Sequence, residues 1–236
     1  MAEKRREKLR LATQTEIKDI ARKLMAENGT AGLGLRAIAR EMDVTAPAIY
    51  RYFPSLDDLI TELIIENFHA LAAAMAEGAA SAPEPDYAGR LMGMLMAYRR
   101  WALDHAIDFQ LIYGNPIPGY VAPAERTMPA ARRGFDVVVE ILDGALAAGA
   151  IIPPPEYQVL PGAIAAQLSN VIAHEGYDVP VVVLYLATVG WTRIHGIVML
   201  ELFDDIQPVV GDTEAFYRFE MHMLLKQLGY QKVDSR

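Results

Sequence analysis

Residues 35–60 have the sequence LRAIAREMDVTAPAIYRYFPSLDDLI, and this stretch decides the fold of the N-terminal part of the chain. Its first third carries apolar residues at helical spacing, which predicts a helix of about two turns. Thr45 is a favourable N-cap for a second short helix, and Pro47 is tolerated only because it lies in the first turn. Pro54 ends that helix. We therefore expect two short helices joined by a tight turn, at about residues 35–42 and 46–53.

Longer helices are expected on both sides of this pair. Thr13 and Glu16 form a Thr-x-x-Glu capping box, and apolar residues then recur at helical spacing until Asn28. On the other side, Ser55 caps a longer fourth helix. The first helix is thus expected to begin at Thr13, behind a basic arm of residues 1–12.

The rest of the chain also has helical periodicity, and no stretch alternates convincingly as a strand. A segment rich in Ala, Pro and Ser, residues 78–86, marks a soft boundary, and a Pro/Gly loop covers residues 114–123. Further helices are expected at about 87–102, 109–113, 135–146, 161–174, 179–203 and 213–228. The sequence therefore predicts an all-α protein of nine or ten helices, with an N-terminal three-helix helix-turn-helix domain (13–60) and a larger helical domain (61–236).

Charge is unevenly distributed along the chain. The formal net charge is -8, yet residues 1–55 hold eleven Lys and Arg against seven Asp and Glu. The N-terminal end therefore attracts phosphate while the remainder repels it, which would orient the protein on a polyanion.

Composition and the N-terminal sequence also indicate the cellular compartment of the protein. The chain has no cysteine, and its N-terminus lacks the apolar core of a secretion signal. Its longest apolar stretch, residues 179–192, is shorter than the roughly 20 residues that span a bilayer. We therefore expect a cytoplasmic protein without a membrane partner.

An enzyme is the first function class to be tested against the sequence. The five histidines show no H-E-x-x-H spacing, and a phosphate loop, a dinucleotide fingerprint and a nucleophile elbow are all missing. We expect no catalytic residue, no metal and no cofactor. A helical protein that binds a small molecule and not DNA is a second class. It predicts that changes at Tyr50 or Arg51 leave function intact.

The second short helix carries residue types that suit a DNA groove. In a helix-turn-helix, the first turns of this helix reach base edges while the preceding helix lies against the backbone. Arg51 is the candidate for bidentate guanine recognition, and Tyr50 can reach a phosphate. A structural helical hairpin with ordinary surface side chains is the alternative. The predicted DNA-binding residues are Arg36, Thr45, Ala46, Pro47, Ala48, Tyr50, Arg51 and Tyr52, together with Lys4, Arg5 and Arg6 of the arm.

The same run resembles the DNA-binding signature of the tetracycline-repressor (TetR) family. The matching positions, in the order and spacing of the family, are Ile38-Ala39, Val44-Thr45, Ile49-Tyr50 and Phe53-Pro54-Ser55. Three positions depart from the pattern. Gly34 stands where a Thr usually caps the helix, Asp43 replaces the usual turn glycine, and Leu56 replaces a common phosphate-binding lysine. Backbone contacts are therefore expected to depend more on the basic arm, which would enter a minor groove in the way that extended arms do.

The resemblance implies that the larger domain binds a small effector and forms a homodimer that binds a palindromic operator, most simply as a repressor released by the effector. The apolar helices at 161–174 and 179–203 would pair with their symmetry mates in a four-helix interface. Aromatic side chains with polar tips suit a largely apolar pocket, although a plain aromatic core is equally compatible. The candidate ligand-binding residues are Tyr98, Trp101, His105, Phe109, Tyr113 and Phe135.

One motif of the larger domain also has a family counterpart. Trp191-x-x-x-His195-Gly196 is similar to the Trp-His-Gly signature of one C-terminal subgroup of these regulators. Trp191 and His195 lie one turn apart on one helix face, and Gly196 would let another helix approach closely. Packing is favoured over ligand binding for these residues.

Overall fold

The computed structural model describes residues 1–114 and 117–230, and regular structure in these ranges is helical. A single bridge between Ile151 and Tyr230 is the only β pairing among the described residues. The all-α class expected from the sequence is confirmed. The helices are α1 (Ala2–Asn28), α2 (Leu35–Glu41), α3 (Ala46–Tyr50), α4 (Leu56–Ala80), α5 (Tyr87–Asp104), α6 (Ala106–Tyr113), α7 (Ala124–Ala147), α8 (Pro155–Gln158), α9 (Gly162–Glu175), α10 (Val181–Leu202), α11 (Gln207–Val210) and α12 (Thr213–Leu228).

The chain forms two compact units, and each unit is built from two separate stretches of sequence. The first unit contains Met1–His69 and His105–Ala131. The second contains Ala70–Asp104 and the residues from Arg132 onwards. Helices α4 and α7 therefore each contribute to both units.

The core of the first unit is formed by the apolar faces of α1 to α4. Ile17 of α1, Ile38 of α2 and Leu59 of α4 are each completely buried. Burying a side chain of this size stabilises a fold by about 1.5–3 kcal/mol. The stretch His105–Ala131 joins the same core through the partly buried residues Ile107, Leu111, Ile112, Ile117 and Tyr120.

The expected start of the first helix at Thr13 is wrong, because α1 begins at Ala2. The Thr13 hydroxyl donates to the Leu9 carbonyl at 3.1 Å, as a residue inside a helix does, and caps nothing. Most of residues 2–12 are Ala, Glu, Lys, Arg or Leu, which have the highest helix propensities. The basic residues ahead of Thr13 are therefore helical and not extended.

Three further helices differ from the expectation. Helix α7 begins at Ala124, well before the predicted 135, and it tolerates Pro129 inside it. A proline there removes one backbone hydrogen bond, so the pattern favours a later start. Helices α8 and α11 have four residues each, too few for a periodic pattern to reveal.

The second unit contains a buried ion pair between α5 and α10. The Arg99 Nε and Nη2 atoms donate to the two Glu201 carboxylate oxygens at 2.8 and 2.6 Å. The Tyr217 ring lies 5.6 Å from the same guanidinium, and its hydroxyl donates to the Leu95 carbonyl. Burial by itself raises the pKa of Glu201, but hydrogen bonds from Arg99 and Thr213 together with the Arg99 charge outweigh it, and the pKa is lowered. The pair is therefore charged, and it fixes how α5 and α10 pack.

Helices α4 and α5 cross very closely in the second unit. A Cβ added at Gly93 would lie 2.2 Å from the Gly78 carbonyl oxygen, and one added at Gly78 would lie 2.5 Å from the Gly93 oxygen. No real Cβ approaches a backbone oxygen so closely. Glycine at both positions therefore permits this crossing.

Helices α4 and α10 are long and apolar enough to cross a membrane by length and composition alone. The core helices of soluble proteins pass the same test, so this likeness is weak evidence. Only 33% of the most apolar window of α10 is buried within this chain. Helix α10 thus has apolar surface that the described part of the chain leaves uncovered.

Candidate nucleic-acid interface

Helices α2 and α3 form the predicted pair of short helices with a tight turn between them. Asp43, in the turn, has φ 52°. Asp enters the left-handed region more readily than most residues, so it replaces glycine here as expected. Gly34 occupies the N-cap of α2 in an extended conformation and offers no side chain for a capping bond.

Helix α3 is anchored from one side. Ile49 and Phe53 lie one turn apart and are 1% and 3% exposed, because both insert into the core of the first unit. The opposite side faces solvent. The predicted reading residues Thr45, Pro47, Tyr50 and Arg51 are exposed, and Ala46, Ala48 and Tyr52 are half-buried.

Thr45 is the N-cap residue of α3, as expected, but its side chain makes no capping hydrogen bond. Its hydroxyl is exposed at the start of the helix. In a helix-turn-helix this is the end that enters the groove. Thr45 thus lies at the end of α3 that the sequence predicts to meet DNA.

A shallow open depression lies beside α3, between the start of α2 and the start of α4. Its lining includes Gly34 and Arg36 from the α2 side, Tyr50 from α3, and Pro54 and Ser55 before α4. A guanidinium and a phenol hydroxyl are both hydrogen-bond donors to phosphate oxygens. The depression therefore suits a phosphate of a DNA backbone.

The predicted cap of α4 is confirmed. The Asp58 amide donates to Ser55 Oγ at 3.0 Å, and the Ser55 hydroxyl donates to Asp58 Oδ2 at 2.7 Å. Asp57 and Asp58 both lie in the first turn of α4, where a helix favours negative charge. The edge of the depression is therefore acidic on the α4 side.

Within the first unit, the stretch His105–Ala131 is attached to α1 and α4 by polar contacts. Arg22 Nε of α1 donates to Asp108 Oδ1 of α6 at 2.8 Å. Thr61 of α4 is buried and lies 2.9 Å, oxygen to oxygen, from the Tyr120 hydroxyl. The third contact, made by Arg126, joins α7 to the start of α4. Sequence reasoning misses all three, since pairs 59 to 86 residues apart leave no local pattern.

The basic residues Lys4, Arg5 and Arg6 are exposed on the first turns of α1. Every described residue from Lys4 to Ala12 is exposed as well, whereas Ile17 is buried. The N-terminal end of α1 therefore projects beyond the core as a basic helix.

The six candidate ligand-binding residues are divided between the two units. Tyr98 and Trp101 of α5 are buried in the second unit, which also contains the half-buried Phe135. His105, at the N-cap of α6, is exposed. The remaining two, Phe109 and Tyr113, have rings 5.1 Å apart in the first unit.

The Trp-His-Gly motif lies on α10. The His195 ring stacks on Trp191, and His195 Nδ1 lies 3.0 Å from the Tyr98 hydroxyl. Burial lowers the pKa of His195, so the ring is neutral near pH 7 and can accept from Tyr98. The expected close helix approach at Gly196 is wrong within the chain, because a Cβ added there would meet no described atom within 4 Å.

Fold and site together define a helix-turn-helix DNA-binding regulator. The family model described as bacterial regulatory proteins, tetR family, matches residues 17–63. A second model, described as tetracyclin repressor-like, C-terminal domain, matches residues 91–224, which is more than half of the chain. The chain belongs to the TetR family.

Individual relatives agree with this placement. An HTH-type transcriptional regulator of Mycobacterium tuberculosis, Rv1816, is 27% identical over 190 residues, 80% of each protein. The crystal structure of the regulatory protein SCO4313 is 34% identical with a TM-score of 0.75, covering 93% of this chain and 98% of that one. PfmR, a TetR family transcriptional regulator from Thermus thermophilus, shares the fold at 16% identity and a TM-score of 0.59, covering 90% and 98%. The protein is therefore a transcriptional regulator of the ligand-responsive, DNA-binding type.

Proposed function

We propose that the protein is a homodimeric repressor that binds a palindromic operator through α3 and is released by a small, largely apolar effector. The observation that carries the proposal is the orientation of α3, which is anchored by two buried residues and exposes Thr45, Tyr50 and Arg51. The cytoplasm is the compartment where such a protein meets its DNA.

The proposed DNA contacts are of two chemical kinds, to bases and to phosphates. Arg51 is proposed to bind guanine in the major groove, and Ala46, Pro47 and Ala48 to contact thymine methyl groups. Arg36, Tyr50 and Tyr52 are proposed to bind phosphates. The projecting basic end of α1, with Lys4, Arg5 and Arg6, would add phosphate contacts as a helix.

The proposed dimer interface is formed by α9 and α10. Helix α9 is apolar along most of its length, yet none of its residues is buried in the described chain. One face of α10 exposes Thr192, Gly196 and Leu200 at helical spacing, and Phe203, directly after the helix, is exposed as well. A second copy would cover both surfaces and would also use the open space at Gly196.

The dimer can be tested with two matched substitutions. Leu200→Glu places a charge in the proposed interface, whereas Val209→Glu places the same charge on α11, where the side chain is 82% exposed. In sedimentation velocity at micromolar concentration, we expect the wild type and the Val209 variant to be dimers and the Leu200 variant to dissociate. A Leu200 variant that remains a dimer would contradict this interface.

The effector is proposed to bind among the candidates of the second unit, Tyr98, Trp101 and Phe135. The chain has two tryptophans, so Trp191→Phe leaves Trp101 as the single tryptophan reporter. Apolar small molecules that release operator DNA should also change Trp101 emission. Release without any change in emission would place the effector elsewhere. We propose separately that the motif Trp191-x-x-x-His195-Gly196 assigns the chain to the Trp-His-Gly subgroup of the family.

DNA reading is tested by selection from a random duplex pool with the full chain. We expect enrichment of an inverted repeat, and loss of enrichment when Tyr50 and Arg51 are both changed to Ala. The matched control is Glu140→Ala, an exposed position on α7. Failure of all three proteins to enrich any sequence would favour a helical small-molecule-binding protein without a DNA role, whereas equal enrichment of an inverted repeat by all three would show that Tyr50 and Arg51 do not read it.

A further inference from the structure

The start of α4 carries acidic side chains beside the surface proposed to meet DNA. Asp58 lies in the first turn and Glu62 follows one turn later. Ser55, directly before the helix, lines the depression that also contains Arg36. Carboxylates at this end stabilise the helix, but they also repel the phosphates of an approaching duplex. The sequence at this point therefore favours the helix at the expense of DNA binding.

Arg126, from a distant part of the chain, offsets one of the two negative charges of these carboxylates. Its Nη1 atom lies 3.5 Å from Asp58 Oδ1, and its Nη2 atom donates to Glu62 Oε1 at 2.7 Å. All three side chains are 39–48% exposed, so the contact borders solvent and is close to where an external phosphate would lie.

The position of Arg126 in its own helix supports a role outside that helix. Arg126 lies in the first turn of α7, which begins at Ala124. Positive charge is unfavourable at a helix N-terminus, so α7 itself gains nothing from an arginine there. The favourable interactions that hold this side chain are those with α4.

We propose that Arg126 lowers the repulsion between the start of α4 and a DNA phosphate by offsetting one of the two negative charges of Asp58 and Glu62, and that its withdrawal restores that repulsion and weakens operator binding. The inference rests on the proposed function, because it requires DNA at the depression beside Ser55. Helix α7 continues from the first unit into the second. A rearrangement of the second unit that shifts α7 thus acts directly on charge at the DNA surface.

The size of the effect follows from Coulomb's law. The interaction between two unit charges about 10 Å apart in water changes a binding constant about two-fold. A dimer presents the site twice, so Arg126→Ala should bind the selected operator about four-fold more weakly at low salt, and the difference should shrink as salt is added. Fluorescence anisotropy with a labelled operator measures both quantities.

Arg133→Ala is the matched control. Arg133 is an exposed arginine of the same helix, in its second-unit part, so the variant has the same net charge. We expect its affinity to remain within about two-fold of the wild type. An equal loss in both variants would show a general charge effect and overturn the proposal.

The decisive comparison removes one carboxylate together with the arginine. Arg126→Ala/Glu62→Gln has the wild-type net charge at the start of α4, so its operator affinity should return to within about two-fold of the wild type. A four-fold loss that persists in this double variant would mean that Arg126 binds phosphate itself, which overturns the proposal. Glu62→Gln leaves the cap formed by Ser55 and Asp58 intact.

The same titrations separate this inference from the proposed function. Normal affinity of Arg126→Ala, together with lost binding by the Tyr50/Arg51 double variant, would overturn the role of Arg126 and leave DNA binding intact. Failure of the wild type to bind any selected duplex would overturn the proposed function.

Discussion

The close crossing of α4 and α5 predicts a large effect from one methyl group. In Gly93→Ala, the new Cβ would lie 2.2 Å from the Gly78 carbonyl oxygen and 2.7 Å from Ser81 Oγ. Ordinary carbon-to-oxygen contacts begin at about 3.3 Å, so the helices must separate by about 1 Å. Overpacking costs about 1–3 kcal/mol, and contact with a fixed backbone oxygen argues for the upper part of that range. Alanine regains about 1 kcal/mol of helix propensity.

The net destabilisation is therefore about 1–2 kcal/mol. For a chain of this length each kcal/mol lowers the melting temperature by about 2–4 °C, so a decrease of about 2–8 °C is expected. Thermal unfolding by circular dichroism at one fixed protein concentration measures it, because the melting temperature of a dimer depends on concentration.

Gly190→Ala provides the matched control. A Cβ added at Gly190, also inside a helix of the second unit, would meet only Leu224 Cδ2, at 4.0 Å. That is ordinary van der Waals contact, so this variant should be as stable as the wild type or more stable by up to about 1 kcal/mol. A Gly93 variant that melts at or above the Gly190 variant would refute the packing argument.

Three further outcomes are expected. Glu201→Gln leaves the Arg99 charge unbalanced in a buried place, because the Glu201 and Arg99 side chains are only 6% and 10% exposed. The free energy of unfolding in urea should therefore fall by about 3 kcal/mol. An unchanged unfolding transition would contradict the ion pair. Because burial lowers the pKa of His195, the unfolded chain binds the proton more readily, so stability is full above about pH 6.5 and declines below it. His195→Gln should flatten that decline in melting curves across this range, and identical curves would argue against it. Ile49→Ala should lower stability by about 2–5 kcal/mol and also weaken operator binding in anisotropy titrations below its melting temperature; full affinity would mean that this anchor does not position α3.

The helix-turn-helix could be predicted from the sequence because its determinants are local. Thr45 and Pro47 define the start of α3, Pro54 follows four residues after its last residue, and the Ser55 cap starts the next helix, all within eleven residues. Each signal acts on backbone only one to four residues away, so a single sequence is enough to reveal it.

Other features were missed because a local pattern had two interpretations. Thr13 suits a capping box, but inside a helix the same hydroxyl bonds the carbonyl four residues back, and the helix formers ahead of it decided the outcome. Pro129 likewise favours a helix boundary, although α7 continues through it. In both cases the preference of the neighbouring residues outweighed the single apparent boundary residue.

The long-range part of the site could not be predicted at all. The contacts of Asp108, Tyr120 and Arg126 with α1 and α4 depend on how the chain returns to the first unit after α5. No periodicity encodes that return. The aromatic ligand candidates show the same limit, since their spacing along α5 and α6 did not indicate that they are divided between two units.

The central claim is that two copies of α3 lie in DNA grooves, and the lack of cysteine allows a direct measurement of it. Thr45→Cys, labelled with an iron chelate that cleaves nearby DNA, should cut the selected operator at two clusters about 34–36 Å apart along the duplex, one for each half-site. Glu140→Cys, labelled in the same way at an exposed position on α7, should give no localised cleavage. Cleavage at a single cluster, or the same pattern from both labelled positions, would contradict the account.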